Sequence, residues 1–238
     1  MECARLNRYG LLGVTGADAR DFLHAQLTND IANLPANRAA LAGWCTAKGR
    51  LLASFLVIPS PEGFLLQVAR DLAPAVAKRL SMYVLRSKVK VADETADWAQ
   101  YGIWGADLGD SGVVWHRDVV TVKVADRRFL EIGKGLSKDC AESEETWTLQ
   151  EIRAGRPLIT AATQDQFVPQ MVNFETLGAI DFQKGCYPGQ EIVARAQYRG
   201  QVKRRMVHVR TDLKPGEAFN GGVVVDSAAG EALAVIPV

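Results

Sequence analysis

Hydrophobic positions along this chain recur with two periods, and the changes from one to the other mark out its elements. Ala19, Phe22, Leu23 and Leu27 fall at spacings that draw one apolar stripe on a helix, with Thr15 and Asp18 at capping-box spacing ahead of it. That helix is expected to end near Asn29. Beyond the polar loop of 33–37, the segments 39–46, 50–58 and 63–69 read as strands of a meander, separated by Lys48-Gly49 and by Pro-Ser-Pro-Glu-Gly at 59–63. Asp71 opens a second helix on Leu72, Val76, Leu80 and Tyr83, and the chain returns as a strand from Ser87. Further strands are expected over 97–104, 113–124 and 128–132.

A third helix is expected over 144–153, stopped by Gly155 and Pro157. Pro157 and Pro169 break regular structure in the stretch that follows. Gln164, Gln166, Gln170 and Asn173 stand there as polar groups suited to fixing backbone or a ligand. A fourth helix spans 189–198 and stops at Gly200. The tail reads as a strand over 202–211, a loop over 213–221 and a hairpin turning at 228–230. Helices interspersed with consecutive strands give an α+β fold, with helices packed on antiparallel sheets.

Composition narrows the class. The 238 residues carry a net charge of +1 and are 48% hydrophobic, which fits a soluble globular chain of two or three subdomains. The N-terminus lacks an uninterrupted apolar stretch behind basic residues, and no run approaches the roughly eighteen apolar residues of a membrane helix. A cytoplasmic protein without a membrane partner is expected. The four cysteines, Cys3, Cys45, Cys140 and Cys186, lie far apart and form no C-x-x-C pair, so neither a disulfide framework nor a local zinc site is expected. The three histidines, His24, His116 and His208, lack an H-E-x-x-H context, and no metal site is assigned.

The chemistry concentrates in residues 181–191, Asp-Phe-Gln-Lys-Gly-Cys-Tyr-Pro-Gly-Gln-Glu. Cys186 has Lys184 two residues before it and a helix start near Pro188 after it, and both favour a thiolate. The competing reading of such a cysteine is a small buried hydrophobe in a tight turn. Glu191 suits a general base, a helix-start charge or a hydrogen-bond acceptor, and Gln190 beside it offers a weaker version of the same roles. From Arg195 to Arg210 the chain carries Arg195, Arg199, Lys203, Arg204, Arg205 and Arg210 with no acid between them. This run suits a polyglutamyl tail, a phosphate-bearing partner or RNA, and equally a solvated helix end and strand edge. No RNA-recognition signature accompanies it.

The string K-G-C-Y-x-G-Q-E at 184–191 resembles the signature of the folate-binding YgfZ family, relatives of the glycine-cleavage T-protein. The resemblance extends to 14–30, 83–91, 152–159, 166–170 and 197–205, and so covers most of residues 9–210. It implies a T-protein-like region over 1–200, built of interleaved α+β subdomains around a central opening, roughly 1–45 with 146–200 and 46–145. A short C-terminal β segment, 201–238, would then form an incomplete barrel.

In function, the resemblance implies a monomeric or weakly oligomeric protein that binds tetrahydrofolate. Its role would be to support iron–sulfur enzymes or their assembly factors, including enzymes that modify tRNA. Cys186, Lys184 and Glu191 would be the working residues, and Tyr9, Trp147, Gln190 and Arg195 the folate contacts. Tyr9 replaces the family's usual tryptophan, and each ring also suits plain core packing. Pro188 stands where threonine is more usual, which stiffens the loop and removes a hydroxyl. A lone cysteine cannot hold a cluster that needs about four thiolates, so any iron would require a partner's ligands. Aligned through Gly49, the aspartates of the T-protein fall on Ala53 and Ser54, so aminomethyl transfer by that route is not expected. Arg50 beside them reads as an anion contact or an exposed turn residue. The rivals are a one-carbon transferase relying on Glu191, and an RNA-binding module relying on the basic run.

Overall fold

The computed structural model describes residues 1–109, 112–198, 200 and 202–238. Arg199 of the basic run and Gln201 of the 197–205 segment lie outside the described residues. In chain order the elements are β1 (Glu2–Arg5), β2 (Tyr9–Thr15), α1 (Ala19–Gln26), β3 (Ala40–Cys45), β4 (Leu51–Ser60), β5 (Gly63–Ala69) and α2 (Ala73–Ser81). Next come β6 (Lys90–Asp93), β7 (Trp98–Trp104), β8 (Val113–His116), β9 (Val119–Ala125), β10 (Arg128–Lys134) and α3 (Glu144–Arg153). A single 3₁₀ turn, Pro169–Val172, precedes α4 (Gln190–Tyr198), β11 (Arg204–Arg210), β12 (Ala218–Phe219), β13 (Gly222–Ala228) and β14 (Glu231–Pro237). Among the described residues no helix is long and apolar enough to cross a membrane.

The chain divides into two compact units, Met1–Phe22, Ala32–Ala40 and Leu56–Trp147 in one, Leu23–Ile31, Leu41–Phe55 and Thr148–Val238 in the other. The first unit holds an antiparallel sheet of order β1-β7-β10-β9-β8. It also holds β5, flanked by Leu56–Ser60 of β4 and by β2, with β6 beyond. Gln67 of β5 donates to Gln100 of β7 at 2.8 Å, both buried, which is why two apolar strands each carry an amide.

β1 and β2 are not marked by the sequence pattern. In β2 all but the last residue are buried, so polar alternation is missing, and Gly10 and Gly13 interrupt the apolar run. A Cβ on Gly10 would lie 2.6 Å from that of Ala73 at the start of α2; the glycine lets helix and strand meet. The expected 113–124 strand is two strands joined at Arg117-Asp118, with Arg117 left-handed, φ 53°. Ahead of α1 the Asp18 carboxylate accepts the amide of Lys88 at 2.7 Å.

One disulfide, which cysteine spacing did not point to, forms in this unit. Cys3 and Cys140 are bonded, with Cα atoms 5.1 Å apart across 137 residues of sequence. The pairing arises because β1 lies beside β7 and the chain leaving β10 passes back to it, an adjacency that cysteine spacing cannot encode.

In the second unit α1 closes at Gln26, short of Asn29, because Leu27 leaves the helix to bridge Trp44 of β3. The C-terminal sheet has order β11-β14-β13-β12 and is open, with β11 and β12 at its edges. Val224, Ala232 and Ala234 form its core, covered by Val209, Leu213, Phe219 and Ile236. Its hairpin turns on Ala229 and Gly230, both left-handed, which matches the twist of paired strands. Short β12 lies in what the sequence reads as loop. Gln170 in the 3₁₀ turn is fully buried and donates to the Val193 carbonyl of α4 at 2.6 Å, while Arg205 of β11 donates to the Gln170 carbonyl at 3.0 Å and pairs with Glu175. Turn, helix and sheet edge are thereby tied around the segment that carries the signature.

Candidate functional site

The signature loop is built within the second unit. Asp181 anchors it: its amide donates to the Thr28 carbonyl, and its carboxylate accepts the amides of Gln183 at 2.7 Å and Lys184 at 3.0 Å. This is the turn an aspartate forms with its own following backbone. Thr28 in turn donates to the Ala179 carbonyl at 2.6 Å and accepts the Gly43 amide at 2.7 Å. At the far end Gly189 is left-handed, φ 80°, and a Cβ there would lie 2.4 Å from the Thr46 carbonyl oxygen. Only glycine lets the loop seat on the Thr46–Gly49 turn before α4 begins.

Lys184 is buried and points its ammonium at the C-terminal end of α1. Nζ donates to the Leu27 carbonyl at 2.6 Å and to that of His24. Carbonyls at a helix C-terminus lack partners within the helix and carry partial negative charge, so a cation is well placed there. Burial lowers the Lys184 pKa to about 8, against the pull of the Asp30 and Asp181 carboxylates. The same ammonium sits 5.1 Å from the centre of the Tyr187 ring. Tyr187 is buried as well; burial pushes its phenol upward, with Cys45 and Asp181 adding to the shift, so it stays protonated. The thiol of buried Cys45 is pushed up to about 12 by desolvation.

Between these two buried residues, Cys186 is exposed as a free thiol. The reading of it as a small buried hydrophobe does not hold. A thiol displayed on a pinned loop is open to alkylation, thiol exchange and metal capture. Gln190 donates to the Lys184 carbonyl at 3.4 Å, closing the loop on itself. Glu191 and Arg195 are both exposed on α4, one turn apart on the same face.

The other candidates lie in the first unit. Tyr9 is 7% exposed and lines a cleft of about 340 Å³, together with Arg5, Asn7, Arg70, Asp97 and Gln100. Trp147 is 1% exposed. Its ring lies against the backbone of Gly102, where a Cβ would meet it at 2.3 Å, and under the Arg128 guanidinium at 4.4 Å from the ring centre.

Ala53 and Ser54 are buried in β4, and the Ser54 hydroxyl accepts the Ile159 amide at 3.0 Å. Arg50 is exposed and donates to the Asp165 carbonyl at 3.2 Å. Of the basic run, Arg205 is spent on Glu175, whereas Arg195, Lys203, Arg204 and Arg210 are exposed. Among the described residues no cluster of three or more His, Cys, Asp or Glu is gathered that could hold a metal ion. Gln170, read from the sequence as a polar group suited to fixing backbone, does so at the Val193 carbonyl; the roles of Asp181, Asp30 and Arg128 were not singled out by the sequence. Only Asp181 left a local sign, its turn-forming spacing to Lys184.

No protein-family model matches the chain. It is 34% identical over 204 residues to an uncharacterised protein of Haemophilus influenzae, covering 84% of this chain and 70% of that one. It is 32% identical over 237 residues to the tRNA-modifying protein YgfZ of Edwardsiella ictaluri, covering 87% and 70%, and 33% identical over 227 residues to that of Photorhabdus laumondii, covering 84% and 68%. Among solved structures, the glycine cleavage system aminomethyltransferase T of Bartonella henselae matches with a TM-score of 0.76 at 16% identity, over 99% of this chain and 78% of that one. That likeness is one of fold.

Proposed function

Because the chain belongs to the YgfZ family and has a T-protein-like fold, we propose that it is a cytoplasmic accessory protein of tRNA modification that binds a reduced folate and works through Cys186. The observation that carries this reading is the exposure of Cys186 between two buried neighbours, Lys184 and Tyr187. A folded chain gains nothing in stability from pinning a loop so that its thiol faces water; reactivity is the reason to do so. Lys184 is a positioning residue, holding the loop to α1. Glu191 and Arg195 offer a carboxylate and a guanidinium from α4. The client is an iron–sulfur enzyme or an assembly factor, whose own ligands would complete any iron shell begun by one cysteine.

The Tyr9 cleft fits a folate in size and chemistry. Its volume lies in the range of small-molecule sites, and it combines a ring for stacking with two arginines and one carboxylate. Tyr9 would stack on the pterin, Asp97 would accept from its amino edge, and Arg5 and Arg70 would hold the glutamyl carboxylates. When bound, the folate supplies a one-carbon carrier.

Titrating tetrahydrofolate against the protein while following tryptophan emission is expected to give saturable binding, lost in Tyr9→Ala with the circular dichroism unchanged. Absence of saturation in the wild type would end the folate reading. In cells lacking the endogenous relative, the wild type is expected to restore modified nucleosides in tRNA and Cys186→Ser to fail. Equal restoration by the serine variant would end the cysteine reading.

A further inference from the structure

The Cys3–Cys140 bond joins two segments that line one cleft. Cys3 sits on β1, two residues before Arg5, and the segment Arg5, Leu6, Asn7 lines the Tyr9 cleft. Cys140 sits three residues after Ser137, and Gly135, Leu136 and Ser137 line the same cleft. Both cysteines are only partly buried. Among the described residues β1 is an edge strand, with β7 as its strand partner. The segment after β10 has few other attachments: the Lys138 amide donates to the Tyr101 hydroxyl at 3.3 Å, and Lys138 pairs with Glu131 at 2.7 Å. Beyond Cys140, Glu144 accepts the Arg8 amide at 2.7 Å. The bond is thus a covalent clamp between an edge strand and a loosely tied segment, each leading into residues that line the same opening.

Disulfides that occur in a reducing compartment are characteristically redox-active, since thiol buffers there reduce any bond that is accessible. We propose that Cys3–Cys140 is a reversible thiol–disulfide site that reacts with a dithiol reductant and sets access to the Tyr9 cleft. A thiolate of the dithiol attacks one sulfur, the S–S bond breaks, and the other cysteine leaves as a thiolate that takes up a proton. The second thiol of the reductant then displaces the first cysteine from the mixed disulfide. The protein gains two electrons and two protons, and the reductant departs as a cyclic disulfide. With the clamp open, residues 135–142 lose their covalent tie to β1 and stay attached through weaker contacts such as the Lys138–Glu131 pair, and their side of the cleft is loosened. The clamp itself stands on the bonded cysteines and the cleft they flank, and the reducing compartment that makes it reversible rests on the proposed function. That folate is the ligand it gates rests on the proposed function.

The test uses the full chain in oxidised and in reduced dithiothreitol. After denaturation, maleimide labelling is expected to add two groups per oxidised chain, at Cys45 and Cys186, and four per reduced chain. Four in both states would overturn the site. Reduction is expected to weaken tetrahydrofolate binding by at least about fivefold, with Cys3→Ser/Cys140→Ser matching the reduced wild type and reoxidation restoring the tight form. Unchanged affinity across states with proven thiol counts would overturn the gate. So would loss of near-ultraviolet circular dichroism on reduction, which would mark a structural staple. If no state binds tetrahydrofolate, the folate reading fails separately. Hydrogen exchange of the wild type then decides the clamp, with protection of residues 135–142 expected in the oxidised form and lost in the reduced form; equal protection would overturn it.

Discussion

Lys184 shows how one buried cation can pin the loop that displays Cys186. Its ammonium is taken out of water to satisfy the carbonyls of His24 and Leu27, and desolvation lowers its pKa from 10.5 to about 8. Between those two values the unfolded chain holds more protons than the folded one, so stability rises as pH rises through that window. Urea midpoints measured from pH 7 to pH 11 are expected to show this rise in the wild type, beyond any shared by Lys184→Met. Identical pH slopes would refute the assignment. Trp147 makes the opposite case, a residue whose family resemblance points to a ligand and whose surroundings point to the core. With its ring enclosed by Gly102, Trp104 and Arg128, Trp147→Ala is expected to cost about 3–5 kcal/mol, read by urea denaturation. A loss below about 1 kcal/mol would show that the ring is not a packing element. Any loss of folate binding in that variant therefore has to be judged against its loss of fold.

At the scale of elements, α3, β11 and β14 are joined through one carboxylate. Glu231 accepts from Arg153 at 2.6 Å and meets His208 at 2.6 Å. The Arg153 hydrogen bond holds its carboxyl down at about 2, with His208 contributing less. The stabilisation is therefore present above the ordinary 4.5 and lost as pH falls toward 2. Glu231→Gln is expected to lower the melting temperature at pH 7, with the deficit shrinking between pH 4.5 and 2; a deficit independent of pH would exclude the carboxylate as its source. The first two helices, by contrast, were legible from periodicity, because an apolar stripe is a local property, and the last two from the glycines and proline that stop them: the bounds 144–153 agree with α3, and 189–198 with α4 to within one residue. β1 and β2 were not. β2, buried on both faces, loses the alternation that marks a strand, and its glycines imitate a turn; β1 is four residues long with one of them buried, too short to show a pattern.

For the whole molecule, fold and chemistry have separate sources. The chain shares the fold of an aminomethyltransferase T at a TM-score of 0.76, yet holds alanine and serine at 53 and 54, both buried, with the serine hydroxyl committed to a backbone amide. Fold alone does not carry an activity. The signature at 184–191, the family it marks, the α+β class and the helix stripes were determined by the sequence itself, because each depends on residues near one another along the chain. Tertiary structure alone decided that Lys184 reaches carbonyls up to 160 residues away, that Cys186 is the exposed free thiol while Cys45 is buried, and that Cys3 meets Cys140 beside the Tyr9 cleft. These depend on which strands pair and where loops return. Such choices are fixed by burial and backbone hydrogen bonding summed over a whole unit, and no short stretch of sequence holds that sum.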